Sequence, residues 1–465
     1  MDAREKLAAL GAAVPEILLP RGGVNLSKWA VIACDQFTQD LGYWELVRRI
    51  AGDAPSALNL IYPEVYLERD ALSGGTRRTR LTAIHRAMAD YLGSAPGGGI
   101  FAPPLESLVY LERDTPCRQG RRGLLVCLDL ERYDWKPGTA PLIRPTEGTV
   151  PERLPPRMDI RRGAPLEIPH ILILINDPAN TLFPALAERA KDPFRPGGGK
   201  PLYDAGLMLG SGRVRGWKLE GEADWALLAQ GLERLAAGTH GDFLYAVGDG
   251  NHSLAASKGI WEEYKAARRK EGVAEGELLS HPARWVLVEL ENLYDPALIF
   301  EPIHRILFGA GAAELREVLS VLPGFRCRDL DAGGLKAALA GSAESGDPAG
   351  TDPPPVRFGL VSGESCFLIE ADPAPLAVDP LQPPLDRFTR DHPGVRMDYI
   401  HGVEELFRLA GPGGGQSAAG IALPPFRKQG LFTAVAKRGV LPRKSFSMGE
   451  AVEKRFYLEC RRLFG

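Results

Sequence analysis

Residues 243–258 read "FLYAVGDGNHSLAASK", and the middle of this stretch constrains the fold more than any other part of the chain. Phe243 to Val247 is a short run of aromatic and branched side chains, the composition of a strand. From Ser253 towards Lys270 the pattern turns helical, with Leu254, Trp261 and Tyr264 spaced to share one face. The Gly-Asp-Gly between them predicts a tight strand-to-helix turn, in which Gly248 and Gly250 permit a positive φ and close approach of backbone to ligand. Such a turn points free backbone N–H groups and the positive end of a helix dipole, about half a charge, out of a sheet edge. That is a seat for an anion, phosphate above all. Asp249 would cap the helix or bind a metal or hydroxyl, and Asn251 and His252 place polar tips at the mouth. The competing reading is that Asp249 and Asn251 only cap the helix and His252 is an ordinary surface residue.

Net charge narrows which anion this would be. At −3 over 465 residues the chain has no global positive field, which disfavours nucleic acid and anionic membrane as partners and leaves a small phosphate compound. No apolar run reaches the roughly 20 residues of a membrane span. The opening "MDAREKLAALGAAVPEILLP" mixes charges and lacks the layout of a signal peptide. The 6 cysteines are scattered without a CxxC spacing, which argues against a zinc cluster and predicts a reducing, cytoplasmic setting.

The length predicts two or three domains. Gly/Pro-rich stretches at 94–99, 195–200, 341–355 and 411–416 punctuate the chain, and the third, "GSAESGDPAGTDPPP", is too polar to bury a core and reads as a surface loop. No internal repeat is found. Strand-like runs fall at 59–67, 123–130, 170–175, 243–247 and 284–293. Helical patterns fall at about 41–51, 77–93, 223–237, 253–270, 313–321, 402–410, 430–438 and 449–463. Strands and helices mix without a strict alternation, so the expected class is α+β, with mixed sheets and flanking helices. The expected division is 1–310, carrying the turn, and 311–465, a C-terminal α/β region holding the 341–355 loop and lending a basic motif to the site.

Other stretches compete with the turn for chemistry. "RPGGGK" (195–200) lacks the Walker spacing, with Pro201 where a hydroxyl belongs, and reads as a loop. "GLMLGSGRVRG" (206–216) lacks the third glycine of a dinucleotide fingerprint and predicts a hairpin. "EPIHRIL" (301–307) offers His304 and Arg305, for which pairing with an internal carboxylate is the plain alternative. "LPRKSFSMGE" (441–450) gathers Arg443, Lys444, Ser445 and Ser447, either a phosphate clamp or a solvated basic turn. The segment 145–163 carries Glu147, Arg153, Arg157, Arg161 and Arg162 between prolines, either an active-site loop or a charged surface crossing.

These stretches, in this order, resemble the bacterial and archaeal family known as domain of unknown function 1015. The family's Asp-Gly-His-His-Arg signature is matched by "DGNHS" at 249–253, its Pro-Thr-His-Arg by "PIHR" at 302–305, and its late Met-Pro-Pro-Lys-Ser by "LPRKS" at 441–445. An early Tyr-Asp motif resembles "ACDQF" at 33–37, followed by "NLIYPE", and a His-Glu-x-Thr segment resembles "RPTEGTVPER" at 144–153. The signature turn is in turn similar to that of the ParB/sulfiredoxin-like superfamily, which includes free serine kinases. The resemblance implies a ParB/sulfiredoxin-like core and phosphoryl transfer from a nucleotide, ATP or ADP with Mg²⁺, to a small hydroxyl metabolite such as serine.

Under that implication, Gly248, Gly250 and Asn251 with His252 would seat the phosphate. His304, Arg305, Arg443, Lys444 and Ser445 would bind it and neutralise its charge. Asp249 or Asp35, and after them Glu147, would orient the attacking hydroxyl or hold Mg²⁺. The expected partners are a small-molecule substrate and a nucleotide, with homo-oligomerisation left open. Two departures stand out: Asn251 replaces the first signature histidine and Ser253 the arginine, which removes a bidentate phosphate fork. Arg443, absent from the family pattern, would replace that cation if it lay near Gly250. A non-catalytic nucleotide-binding protein and a small-molecule phosphatase are the alternatives.

Overall fold

The computed structural model describes residues 1–71, 74–94, 98–195, 197–238, 243–341, 355–412, 418–442 and 444–464. Arg443 and most of the expected 341–355 loop therefore lie outside the described residues. The chain divides into two compact units. The first comprises Met1–Pro145, Thr149–Leu298 and Glu450–Gly465, and the second Thr146–Gly148 and Ile299–Gly449. The division after Leu298 falls earlier than the expected 310/311, because one strand ends the first sheet and the next opens the second. The last residues return to the first unit.

The first unit is built on a nine-stranded mixed sheet. In chain order its strands are β1 (Ala12–Ala13), β2 (Leu108–Asp114), β3 (Arg121–Asp129), β4 (Ile143–Pro145), β5 (Leu172–Ile175), β6 (Tyr203–Gly206), β7 (Arg213–Leu219), β8 (Tyr245–Asp249) and β9 (Trp285–Asn292). Across the sheet they run β6-β7-β2-β3-β9-β5-β8-β4, with β1 beside β3. Both faces are covered, as the period-2 alternation requires. In β3, Leu124, Val126 and Leu128 enter one core, while Leu125 and Cys127 enter the other. The 206–216 stretch forms the turn of the β6–β7 hairpin, as its glycines predict.

The second unit has a seven-stranded sheet of β10 (Phe300–Phe308), β11 (Arg326–Leu330), β12 (Pro355–Ser362), β13 (Ser365–Pro373), β14 (Arg396–His401), β15 (Ala418–Ala422) and β16 (Phe446–Met448). Their order is β11-β13-β12-β15-β10-β14, with β16 on β10. The class is α+β. Among the described residues no helix is long and apolar enough to cross a membrane.

Two expected elements are overturned. The run 59–67 is not a strand but a pair of 3₁₀ turns (Ala57–Leu60, Glu64–Tyr66) leading into a helix, because Pro63 withholds a ladder N–H in its middle. The run 449–463 is not a helix. It is an extended tail that pairs Phe456–Tyr457 with Val31–Ile32 and Arg461–Arg462 with Leu166–Glu167. Buried charge holds it there. Arg455 sits between Glu289 and Glu459, Arg461 pairs with Glu167 at 2.9 Å, and Arg121 donates to the Glu453 carbonyl at 2.7 Å.

Candidate functional site

The turn forms at the end of β8. Helix α2 (Asn251–Lys270) starts two residues earlier than its apolar pattern suggests, straight after Gly250; an earlier helix, α1 (Leu154–Arg161), packs along it. Gly250 takes φ +78°, and a Cβ there would lie 3.1 Å from the Ile171 backbone, so glycine is required twice over. Gly248 does not take a positive φ. It is the extra residue of a β-bulge, since Val247 faces Ile173 while Asp249 faces Leu172. No side chain caps the helix at Gly250, so the competing capping reading fails for Asp249 and Asn251 alike. Asp249 instead accepts the Gly250 N–H at 2.8 Å and pairs with Lys454 Nζ at 3.0 Å. Burial pushes its carboxyl up, but Lys454 and the Gly250 N–H outweigh burial and hold it below the ordinary carboxylate range. The Asn251 Oδ1 is buried without a hydrogen-bond partner.

Because β5 runs antiparallel to β8, the residues just before β5 meet the residues just after β8. His170 therefore lies against the first turn of α2. Its Nε2 is 2.8 Å from Ser253 Oγ and 3.8 Å from Asp35 Oδ2, and its Nδ1 is 3.0 Å from the Tyr457 hydroxyl. The Tyr457 oxygen also accepts the Cys34 N–H at 3.2 Å. Burial, opposed by the Asp35 and Asp249 carboxylates, holds the His170 imidazole below its ordinary value, so it is neutral at pH 7. Burial likewise pushes the Cys34 thiol and the Tyr457 phenol up, so both keep their protons.

His170, Ser253, Cys34, Tyr457 and Arg157 line a cleft of about 120 Å³ whose walls are otherwise largely apolar, among them Leu60, Ile61, Met88 and Leu287. Arg157 comes from α1 and pairs with Glu64. His252 accepts the Val150 N–H on Nε2 at 3.2 Å, which ties the turn to the chain leading into α1.

Asp249, Gly250, His252 and Asp35 thus gather in the first unit. Glu147, His304, Arg305, Lys444 and Ser445 belong to the second unit. Two of these are buried and engaged by other residues of that unit. His304 is buried, accepts the Leu423 N–H on Nδ1 at 3.1 Å, and is pushed down to about 4 by burial and the neighbouring Arg305. Arg305 is fully buried, donating to Gln382 Oε1 at 3.1 and 2.9 Å, to the Lys444 carbonyl at 3.0 Å and to the Ile303 carbonyl. Its fork is filled from within the second unit. Ser445 is buried and its hydroxyl donates to the Pro442 carbonyl at 2.5 Å, while Lys444 is exposed at φ +58°.

The sequence reading missed His170, Lys454 and Tyr457. His170 opens the apolar run "HILILI" and is indistinguishable there from a strand residue. Lys454 and Tyr457 lie in the tail read as helix, where the alternation Arg455, Tyr457, Glu459, Arg461 was the available signal of an extended chain.

The fold and cleft together define an α+β protein with a polar site at the end of a mixed sheet. The chain belongs to the family described as protein of unknown function DUF1015, which it matches over residues 18–388. No curated protein matches it. Among solved structures it is similar to a conserved hypothetical protein from Pyrococcus furiosus (13% identity, 72% of this chain and 90% of that one, TM-score 0.31). It is also similar to a free serine kinase in complex with AMP (10%, 72% and 90%, TM-score 0.35). A third is SbnI with a C-terminal truncation from Staphylococcus aureus (10%, 72% and 82%, TM-score 0.30). Similarity at that level assigns no activity to this chain.

Proposed function

We propose that the cleft beside the Gly250 turn is the site of a phosphotransferase that moves a phosphoryl group from a nucleotide to a small hydroxyl metabolite such as serine. One observation carries the reading: beside the cleft that His170 and Ser253 line, the start of α2 has no side-chain cap, Asp249 pairs with Lys454, and Asp35 lies 3.8 Å from the neutral His170 imidazole. Phosphoryl transfer asks chiefly for positioning and charge neutralisation, which these groups offer. The first turn of α2 and Lys454 would face charge on the transferring group. Asp35 would accept the proton of the attacking hydroxyl. The cleft, at about 120 Å³, has room for about four waters by liquid volume, the scale of a small metabolite. The nucleotide donor follows the resemblance of the 249–253 turn to ParB/sulfiredoxin-like proteins.

Mg²⁺ would accompany such a donor. Among the described residues no three His, Cys, Asp or Glu side chains converge to hold a metal ion, so the residues present do not make a dedicated site and no step is routed through one.

The test is a thermal-shift series with ATP, ADP, serine and phosphoserine, with and without Mg²⁺, followed by a transfer assay. A ligand at a hundredfold excess over Kd stabilises the native state by about 2.7 kcal/mol. The expected result is a nucleotide-dependent shift that Asp249→Ala abolishes, and transfer that Asp35→Asn slows about 10²–10⁴-fold. A shift without transfer leaves a nucleotide-binding protein, the runner-up reading. No shift with any nucleotide or phosphorylated compound sinks both.

A further inference from the structure

Ser253 stands where the family signature has arginine, and the structure gives its hydroxyl a histidine partner. Ser257, one turn into the helix, turns back to the carbonyl four residues earlier, donating to the Ser253 carbonyl at 3.0 Å, whereas for Ser253, in the first turn, that carbonyl precedes the helix. Ser253 instead turns its Oγ to His170 Nε2, 2.8 Å away. The other ring nitrogen is anchored on Tyr457, itself held by the Cys34 backbone N–H. A hydroxyl bonded to an imidazole whose far nitrogen is fixed by a third group is the arrangement of an activated nucleophile. The three side chains come from a helix start, a loop before a strand and the C-terminal tail, so no local turn accounts for their meeting.

We propose that Ser253 is a covalent nucleophile, the protein's own phosphoryl acceptor, with His170 as its general base and Tyr457 as the positioning residue. This rests on the phosphotransferase reading above. In the first step a bond forms between Ser253 Oγ and the donor phosphorus while the bond from that phosphorus to the nucleotide's leaving oxygen breaks. The electron pair leaves with the nucleotide, and the hydroxyl proton passes to His170 Nε2. In the second step the metabolite hydroxyl attacks the phosphoseryl phosphorus and gives its proton to Asp35. The Ser253 Oγ–P bond breaks, and His170 returns the proton to Ser253.

The surroundings suit both steps. Asp35 lies 3.8 Å from the same Nε2, where it would stabilise the imidazolium formed in the first step. Ser253 is in the first turn of α2, so charge developing on a phosphorus attacked there faces the positive end of the helix. The hydroxyl, the imidazole and the phenol all line the cleft, and Ser253 is only partly buried, which leaves it reachable. Burial keeps the imidazole neutral at pH 7 and therefore able to take a proton.

A fluorophosphonate probe tests the nucleophile without any nucleotide: Ser253 Oγ would displace fluoride from phosphorus, with the proton going to His170. Intact-protein and peptide mass spectrometry of the unaltered protein should find one adduct, on Ser253. Labelling should slow about 10²-fold or more in His170→Gln, vanish in Ser253→Ala and match the parent in Ser257→Ala. Incubation with ATP or ADP should place a phosphate on the same residue. An adduct on another residue, or labelling at the parent rate in His170→Gln, overturns the proposal. A nucleotide thermal shift with transfer but no Ser253 adduct also overturns it, while leaving direct transfer intact. A fluorophosphonate adduct on Ser253 without any nucleotide effect supports the nucleophile and removes the nucleotide as donor.

Discussion

Two stretches of this chain look alike on paper and behave oppositely in the fold. "GDGNHS" at 248–253 and "PIHR" at 302–305 each set a histidine among polar or charged neighbours beside an apolar run. In the first, the chain leaves its strand through a left-handed glycine, and the side chains that follow arrive at the mouth of a cleft. In the second, the chain stays in its strand, and alternation places His304 and Arg305 inside the second unit, both buried. A buried guanidinium must have its donors satisfied, and Arg305 does so on Gln382 and two backbone carbonyls with Tyr399 stacked 5.0 Å beneath. Depth, rather than residue type, separates the two stretches.

That contrast can be broken by experiment, here in order of the stability each change removes. Arg305→Met should cost about 2–4 kcal/mol in urea unfolding, because it leaves buried acceptors without their donor, yet leave any nucleotide-induced shift unchanged. A stable Arg305→Met protein that loses nucleotide binding would reverse the assignment of the two stretches.

Acid should act on the second stretch next. The folded-state value of His304, about 4, lies below the roughly 6.5 of an unfolded histidine, so the unfolded chain takes up the proton first. The stability that neutral His304 contributes is complete above about pH 6.5 and is lost as pH falls towards 4, up to about 3 kcal/mol. His304→Gln should flatten that limb in a pH series of unfolding midpoints. His170 is shifted in the same direction, so its own acid limb persists in the variant.

Gly250→Ala tests the first stretch. A side chain at φ +78° and 3.1 Å from Ile171 should cost about 1–3 kcal/mol and abolish the nucleotide shift with it. If Gly250→Ala binds nucleotide as the parent does, the turn is scaffold only. Asp35→Asn should be the mildest. The side chain is 21% exposed, so stability should move by less than about 1 kcal/mol while the transfer rate falls about 10²–10⁴-fold. Equal transfer rates in parent and variant would take the proton-accepting role from Asp35.

Much of the site was legible where the physics is local. The β8 strand, the glycine turn and helix α2 follow from side-chain branching, Gly chemistry and helical spacing within some twenty residues, and all three form. Even there the two glycines divided unequally: a bulge absorbs Gly248 because β5 and β8 slip register by one residue, which only pairing can decide. His170 and the tail were not legible. The tail's Phe456, Tyr457, Leu458 and Cys460 fit a helical tally as well as an extended one. What selects the extended form is a set of buried ion pairs with residues far away in the chain, Glu289 and Glu167 among them.

By itself, then, the sequence determined the α+β class, the family and the glycine turn from strand to helix, since each depends on composition, collinear motifs or contacts between near neighbours. The tertiary structure alone decided which groups face that turn. It brought His170 to Ser253, Asp35 to His170 and Lys454 to Asp249, and it sank Arg305 and His304 out of reach. Pairing register and burial are sums over distant partners, and a charged side chain settles only where those partners lower the cost of taking it out of water.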